Sequence, residues 1–569
     1  MTDSRAARPW LQSYAPGVPA EIDEPTGSLF DIIATSAAAY PDEAALEFFA
    51  MTTSYAALKD QIDRAAAALH EAGVRAGDPV ALVLPNCPQH IAAFYAVLRL
   101  GAIVIEHNPL YTPRELRHQF EDHGAKAVIA WDQVVPTIRD FPDDLRPDVI
   151  VSVDITRAMP PIMRAMLRLP VNAARTARAQ LTNGARGTTT WEALLRHARI
   201  AADVPLPSVD DVALLQYTSG TTGAPKAATL THRNLVANAA QARAWVPQIE
   251  RGPSCVVYAV LPMFHAYGLT LCLTFAMSMG GRLVLFPKFD PELVLKAVKR
   301  RPPVFLPAVP PIIERLERAA RDAGVSLKGS QVAISGAMPL STDIVEPWER
   351  ASGGVLVEGY GLSEASPVLA ANPVADNRRV GTVGLPLPST EIRTVDPDDP
   401  SKDVPLGAPG ELIARGPQVM SGYWNRPEET AAIFYPSDDG KGPWLRTGDI
   451  ATISEDGFVT IVDRIKELII TGGFNVSPSE VEDALRKQPG IADAAVVGLP
   501  HEHSGEQVVA AVVLEPGGVL DESEVREVLR GQLAAYKVPR RLVVVDELPK
   551  SLIGKVLRKQ VRESLLAQA

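Results

Sequence analysis

The ten residues Tyr217-Thr218-Ser219-Gly220-Thr221-Thr222-Gly223-Ala224-Pro225-Lys226 bring hydroxyls, two glycines and one lysine into a single short stretch. Those residue types suit phosphate. Glycines let backbone N–H groups approach an anion, hydroxyls donate, and lysine neutralises charge. The spacing is not G-x-x-x-x-G-K-[ST], so this is not a Walker A loop. Taken alone, the run also fits an ordinary turn between strands. A second cluster is Glu358-Gly359-Tyr360-Gly361-Leu362-Ser363-Glu364. Two glycines around a tyrosine permit close backbone approach beside an aromatic face, and a carboxylate suits the hard Mg²⁺ ion. A Gly-Tyr-Gly turn next to a surface glutamate is its plainer reading.

The elements around these residues follow from hydrophobic pattern. The apolar run Val212-Ala213-Leu214-Leu215 reads as a buried strand feeding the first loop. Thr229-Leu230-Thr231-His232-Arg233-Asn234-Leu235 resumes a strand and then caps a helix. Residues 28–200 alternate helix-like Ala56–Ala72 and Gln89–Leu100 with strand-like Pro79–Leu84 and Ile103–Ile105. That alternation predicts an α/β fold with a mainly parallel sheet covered by helices on both faces. It continues through Arg282–Phe286 and Gln331–Gly336. From about Val380, short strands with Gly/Pro turns predict a small β-barrel-like subdomain. A boundary is expected at 463–466, giving a domain 1–463 and a small α+β lid 464–569.

Further motifs lie along this frame. Trp444-Leu445-Arg446-Thr447-Gly448-Asp449 precedes Asp463-Arg464-Ile465-Lys466-Glu467, Gly472-Gly473-Phe474-Asn475-Val476, and Gly554-Lys555 near the C-terminus. Leu261-Pro262-Met263-Phe264-His265-Ala266-Tyr267-Gly268-Leu269 sets His265 among aromatics, and Ser335-Gly336-Ala337-Met338-Pro339-Leu340 ends a strand. Alone, each fits a common turn, a solvated lysine or a satisfied core histidine. No G-x-S-x-G elbow and no G-x-G-x-x-G opening a βα unit is present.

In this order the set resembles the adenylate-forming enzymes: acyl-CoA synthetases, firefly luciferase and the adenylation domains of peptide synthetases. Within them it is most similar to the bacterial long-chain fatty-acid–CoA ligases. The likeness runs nearly end to end, from Asn108-Pro109-Leu110-Tyr111-Thr112-Pro113-Arg114-Glu115-Leu116 to Pro549-Lys550-Ser551-Leu552-Ile553-Gly554-Lys555. Ala227 departs from it, because a glycine usually follows the loop lysine; the position should already lie in the next strand.

The resemblance implies a ligase that joins a long- or medium-chain fatty acid to CoA through an acyl-adenylate, with ATP and CoA as co-substrates and Mg²⁺ as cofactor. An aryl-acid CoA ligase, a stand-alone ligase loading a carrier protein and a luciferase-like oxygenase are the alternatives. It assigns catalysis to Lys226, His265, Glu364 and Lys555. It assigns ATP to Thr218, Ser219, Gly220, Thr221, Thr222, Gly223, Gly336, Ala337, Glu358, Gly359, Tyr360, Gly361, Leu362, Ser363, Asp449 and Arg464, besides Lys226 and Lys555. Thr218 and Glu364 would hold the metal, Gly472, Gly473 and His265 the CoA channel, and Lys466 the hinge.

Bulk properties set the limits. The chain has 569 residues, too many for one core, and 46% are hydrophobic. Net charge is −11, which argues against nucleic acid as partner. Cys87, Cys255 and Cys272 lie far apart without a C-x-x-C pair, which fits a reducing cytoplasm. No signal peptide is expected. Ala266–Gly281 is free of charge but shorter than the ~20 residues of a spanning helix, so it is expected to be buried. Residues 157–186 hold six arginines and no acidic residue, interleaved with Met, Leu and Ile. That segment is either a surface insertion with a solvated basic face or a weak contact with the inner face of the cell membrane. A homodimer is among the allowed states.

Overall fold

The computed structural model describes residues 8–185, 187–218, 225–437, 439–471, 474–501, 505–551 and 554–568, with Lys466, Phe474, Asn475 and Gly505 described for the backbone only. Ser219, Gly220, Thr221, Thr222, Gly223, Gly472 and Gly473 therefore lie outside the described residues.

Two large sheets share one core. In the first, Ala44–Phe48, Arg282–Leu285, Val256–Ala259, Phe305–Ala308, Val332–Ser335 and Val355–Gly361 run parallel, with antiparallel strands at both edges. In the second, Val212–Thr218, Ile103–Glu106, Pro79–Val83, Ala127–Trp131 and Val149–Val153 run parallel. Their central strands are buried throughout, as parallel strands covered on both faces must be. The helix Pro88–Arg99 is buried at every position and touches strands of both sheets. A helix buried all round belongs in a core, and this one joins the two layers. Residues 266–279 are likewise helical and buried, with a π-helical stretch at Leu269–Thr274.

The hairpin under the first loop forms as its sequence predicts. Val212–Thr218 pairs antiparallel with Lys226–Thr231, and Thr231 then caps the helix His232–Trp245 in a capping box with Asn234. Ala227 sits inside that second strand, buried and opposite Tyr217. No left-handed backbone is required there, so a side chain is tolerated.

Beyond residue 390 the chain forms an antiparallel sheet of Glu391–Val395, Gly410–Arg415, Trp444–Ile453, Phe434–Tyr435 and Val459–Arg464. Among the described residues its ladders leave it open at the Glu391–Val395 edge rather than closed into a barrel. The turn Ile465–Glu467 leads to a last sheet with its own cores, built from Ile469–Thr471, Phe474–Val476, Ile491–His501, Gly505–Leu514 and Arg541–Val544. Arg558 binds Glu467, Glu482 and Ser479 and so ties the C-terminal helix to that turn.

The basic segment folds as two short helices, Pro161–Met166 and Asn172–Ala179, in which no residue is buried. Trp131 and Gln133 donate to Leu181 and Ala179 and pin its far end to the end of the strand Ala127–Trp131. No helix among the described residues is long and apolar enough to cross a membrane.

Candidate active site

Four chain segments converge at the C-terminal ends of the first sheet's parallel strands, the usual place for a site in an open α/β sheet. Thr218 and Lys226 face each other across the mouth of the hairpin, where Thr218 Oγ1 donates to the Lys226 carbonyl at 3.3 Å. Lys226 Nζ lies 5.2 Å from the centre of the Tyr423 ring. Tyr423 in turn donates its hydroxyl to Glu364 Oε1 at 2.7 Å. A loop lysine, a tyrosine and a carboxylate thus form one contiguous face. Tyr423 gave no signal in the sequence: it reaches the site only because Gly422–Tyr423 pairs with Lys226–Thr231 as an extra strand.

The second motif ends the strand Val355–Gly361 and opens the turn Ser363–Ala365. Glycine is required at Gly361, where a Cβ would lie 1.9 Å from the Pro367 carbonyl oxygen. Tyr360 donates to Asp449 Oδ2 at 2.5 Å, and Arg464 Nε stands 3.0 Å from Asp449 Oδ1. Asp449 and Arg464 are direct partners across the Trp444–Ile453 and Val459–Arg464 ladder. Burial raises the Asp449 carboxyl above its ordinary range, against the pull of Arg464 and Tyr360. Glu358 is buried and pushed up to about 8 by desolvation, while Leu340 N–H donates to its Oε2 at 3.3 Å.

Gly336 and Ala337 follow the adjacent strand. A Cβ on Gly336 would come within 3.2 Å of the Tyr267 ring, whose hydroxyl is anchored on the Ile334 carbonyl at 2.8 Å. Ala337 holds a left-handed φ of 67°. His265 caps the helical turn after it, its Nδ1 accepting from Tyr267 N–H at 3.3 Å, and burial lowers its basicity. A cavity of about 80 Å³ runs between these groups. Its lining mixes polar side chains, those of His265, Tyr360 and Ser363, with apolar ones, those of Trp245, Leu271 and Val368.

The C-terminal loop packs beside this site. A Cβ on Gly554 would lie 3.4 Å from both Met338 and Pro311, so the loop rests on the large unit. Lys555 is then buried beside Arg464, Asp449 and Glu467; desolvation and the Arg464 charge lower its pKa. Two cations held close together in a desolvated place favour an anionic ligand.

Glu364 is a single carboxylate, and no cluster of three metal-ligating side chains occurs among the described residues. That donor set fits Mg²⁺, which commonly takes one or two protein carboxylates and completes its shell with phosphate and water.

A family described as AMP-binding enzyme matches residues 33–424, and its C-terminal domain matches 480–555. A long-chain-fatty-acid–CoA ligase of Bacillus subtilis (strain 168) is 36% identical over 562 residues, covering 98% of each chain. A 4-coumarate–CoA ligase of Oryza sativa subsp. japonica is 32% identical over 520 residues, 90% of this chain and 87% of its own. The ATP-bound crystal structure of MatB from Rhodopseudomonas palustris superimposes with a TM-score of 0.77 at 30% identity, covering 95% of this chain and 99% of that one. The chain belongs to the AMP-binding enzyme family.

Proposed function

We propose that this protein is a long-chain fatty acid–CoA ligase acting through an acyl-adenylate. The observation that carries the reading is the docking of Lys555 beside the Asp449–Arg464 pair, whose partner Tyr360 also lines a cavity walled by the apolar Trp245, Leu271 and Val368.

The chemistry follows from the chain's own groups. A carboxylate has no leaving group, so a carboxylate oxygen attacks the α-phosphorus of ATP, and the bond to pyrophosphate breaks. Asp449 accepts from the ribose hydroxyls, Tyr360 and the Gly359–Gly361 backbone flank adenine, and Glu358, Leu362 and the Gly336-Ala337 turn shape that pocket. Lys226, Arg464 and the loop Ser219, Gly220, Thr221, Thr222, Gly223 neutralise phosphate, assisted by Ser363. Lys555 is aimed at charge that grows in the transition state, the most effective use of a preorganised donor. Glu364 and Thr218 would hold Mg²⁺, which supplies further charge neutralisation on the polyphosphate.

In the second half-reaction the CoA sulfur attacks the acyl carbon, and AMP leaves with the bridging oxygen. We assign Gly472 and Gly473 to the pantetheine channel, with the neutral His265 positioning the acyl group. Lys555 and those glycines serve the same place in turn, so the lid 464–569 must rotate on the domain 1–463 about Lys466, which lies in the 465–467 turn.

We also assign residues 157–186 to weak peripheral contact with an anionic membrane face, where fatty acids partition. Ile162 (71% exposed) and Met166 (58%) stand on this surface among its arginines. The ligase reading is tested by AMP release from acetate, octanoate, palmitate, oleate and cinnamates, with and without CoA. CoA-dependent release with the long acids supports it. Release with cinnamates alone favours the aryl-acid alternative, and release that needs a carrier protein instead of CoA favours the carrier-loading one.

A further inference from the structure

The cavity is divided from a second, open groove by only a few residues. The strand Val332–Ser335 shows this most directly, because Ile334 lines the cavity while Val332 lines a separate groove that opens to solvent. Side chains two positions apart on a strand face the same way, about 7 Å from each other. Cavity and groove therefore lie end to end on one face of the sheet.

Three chain segments cross between them. Trp245 lines the cavity, and Pro247 the groove. Ala371 lines the cavity, and Val374 and Ala375 the groove. The third is Tyr14, whose ring meets Trp245 edge-on at 5.2 Å and whose neighbour Ala15 lines the groove. The wall is held by two neutral hydrogen bonds: Trp245 Nε1 donates to the Asn372 carbonyl at 3.0 Å, and the Tyr14 hydroxyl to the Pro386 carbonyl at 2.7 Å.

Volume argues that the wall opens. The cavity of about 80 Å³ is well below the ~300–1,000 Å³ of ordinary small-molecule sites, whereas the groove offers about 540 Å³. No charged side chain lines the groove, and its walls are mainly valine, alanine and proline. Gln248 and Gln331 are its polar members; such a lining suits methylene groups and offers a second carboxylate no cation.

We propose that Trp245 and Tyr14 form a displaceable plug, and that the distal methylenes of a long acyl chain pass it and lie in the groove along Val332, Val374 and Ala375. The proposal rests on the fatty-acid reading above. Acids that end before Trp245 leave the plug shut, so Trp245 determines chain-length specificity.

The test measures kcat/KM for octanoate, dodecanoate, hexadecanoate and octadecanoate with the wild type, Trp245→Ala and Ala375→Trp. Ala375→Trp fills the groove from its partly exposed rim. It should leave octanoate within about twofold and lower the two longest acids by about tenfold or more, because each methylene denied apolar contact loses about fourfold. Trp245→Ala should raise the octadecanoate-to-octanoate ratio by about tenfold on the same scale. Should Trp245→Ala fail to fold, Tyr14→Ala and Ala375→Trp carry the test, with the same direction expected for Tyr14→Ala. Parallel changes across all chain lengths, or none, overturn the plug while leaving the ligase reading intact. A wild type that activates no fatty acid overturns both.

Discussion

The Tyr360 hydroxyl donates to Asp449 Oδ2 at 2.5 Å across 89 positions of sequence, binding the end of a parallel strand to the antiparallel sheet that follows it. Arg464 takes the other carboxylate oxygen. Two side chains thus hold one buried carboxylate in a fixed orientation, ready to accept from two neighbouring hydroxyls.

Tyr360→Phe removes one of these donors. A buried acceptor left short of a partner costs about 1–3 kcal/mol. Since Asp449 is assigned to ribose, that cost should appear as a KM for ATP raised by about tenfold. Initial rates against ATP concentration check this. A KM within error of wild type would remove the bond from the binding account.

Lys555→Ala should slow adenylation by about a hundredfold or more, the usual loss for one preorganised donor. Thioester formation from synthetic acyl-AMP and CoA should be far less affected. Equal loss in both half-reactions contradicts the assignment. Burial and Arg464 lower the Lys555 pKa, so its charge is lost at a lower pH than that of an ordinary lysine. ATP affinity of the wild type should therefore fall on the alkaline side, and Lys555→Arg, which keeps its charge, should flatten that fall.

Glu358 gives a pH-dependent stability. Its folded pKa of about 8 lies above its unfolded value, so the native state binds the extra proton between the two. Its contribution is full below about pH 4.3, the unfolded value, and is lost as pH rises through about 8. Glu358→Gln cannot ionise and should escape this loss. Denaturant unfolding at pH 6 and pH 9 should show the variant gaining on wild type by up to a few kcal/mol at the higher pH. A pH-independent difference would mean that Glu358 does not titrate in this range.

Much of this was legible in the sequence, for physical reasons that differ by residue. The hairpin at Val212–Thr231 and the capped helix after it are written in local apolar pattern and capping chemistry, which act over a few residues. Asp449 and Arg464 stood out as a motif pair, and their direct pairing arises from antiparallel register. Tyr423, Trp245 and Tyr14 were not legible. Tyr423 depends on a two-residue strand that forms only against a distant partner, and Trp245 looks like any apolar residue ending a helix. The small sheet after residue 390 read as barrel-like because strand length and turns do not reveal whether edges meet.

The segment 157–186 should bind vesicles that contain anionic lipid and ignore neutral ones. Each arginine near such a surface contributes about 1 kcal/mol, screened over a Debye length of about 8 Å at physiological salt. Changing Arg164, Arg168, Arg175 and Arg178 to Gln should abolish co-sedimentation, and salt should weaken it in the wild type. Indifference to lipid charge and to these changes leaves the segment as a surface insertion.

The acyl-adenylate is the central claim, and isotope transfer tests it most directly. The protein is given palmitate labelled with ¹⁸O in its carboxylate, together with ATP, Mg²⁺ and CoA, and the released AMP is weighed by mass spectrometry. If a carboxylate oxygen attacks the α-phosphorus and stays there when sulfur takes the acyl carbon, the AMP carries one heavy oxygen. Unlabelled AMP, or label appearing in pyrophosphate or inorganic phosphate, would contradict the account.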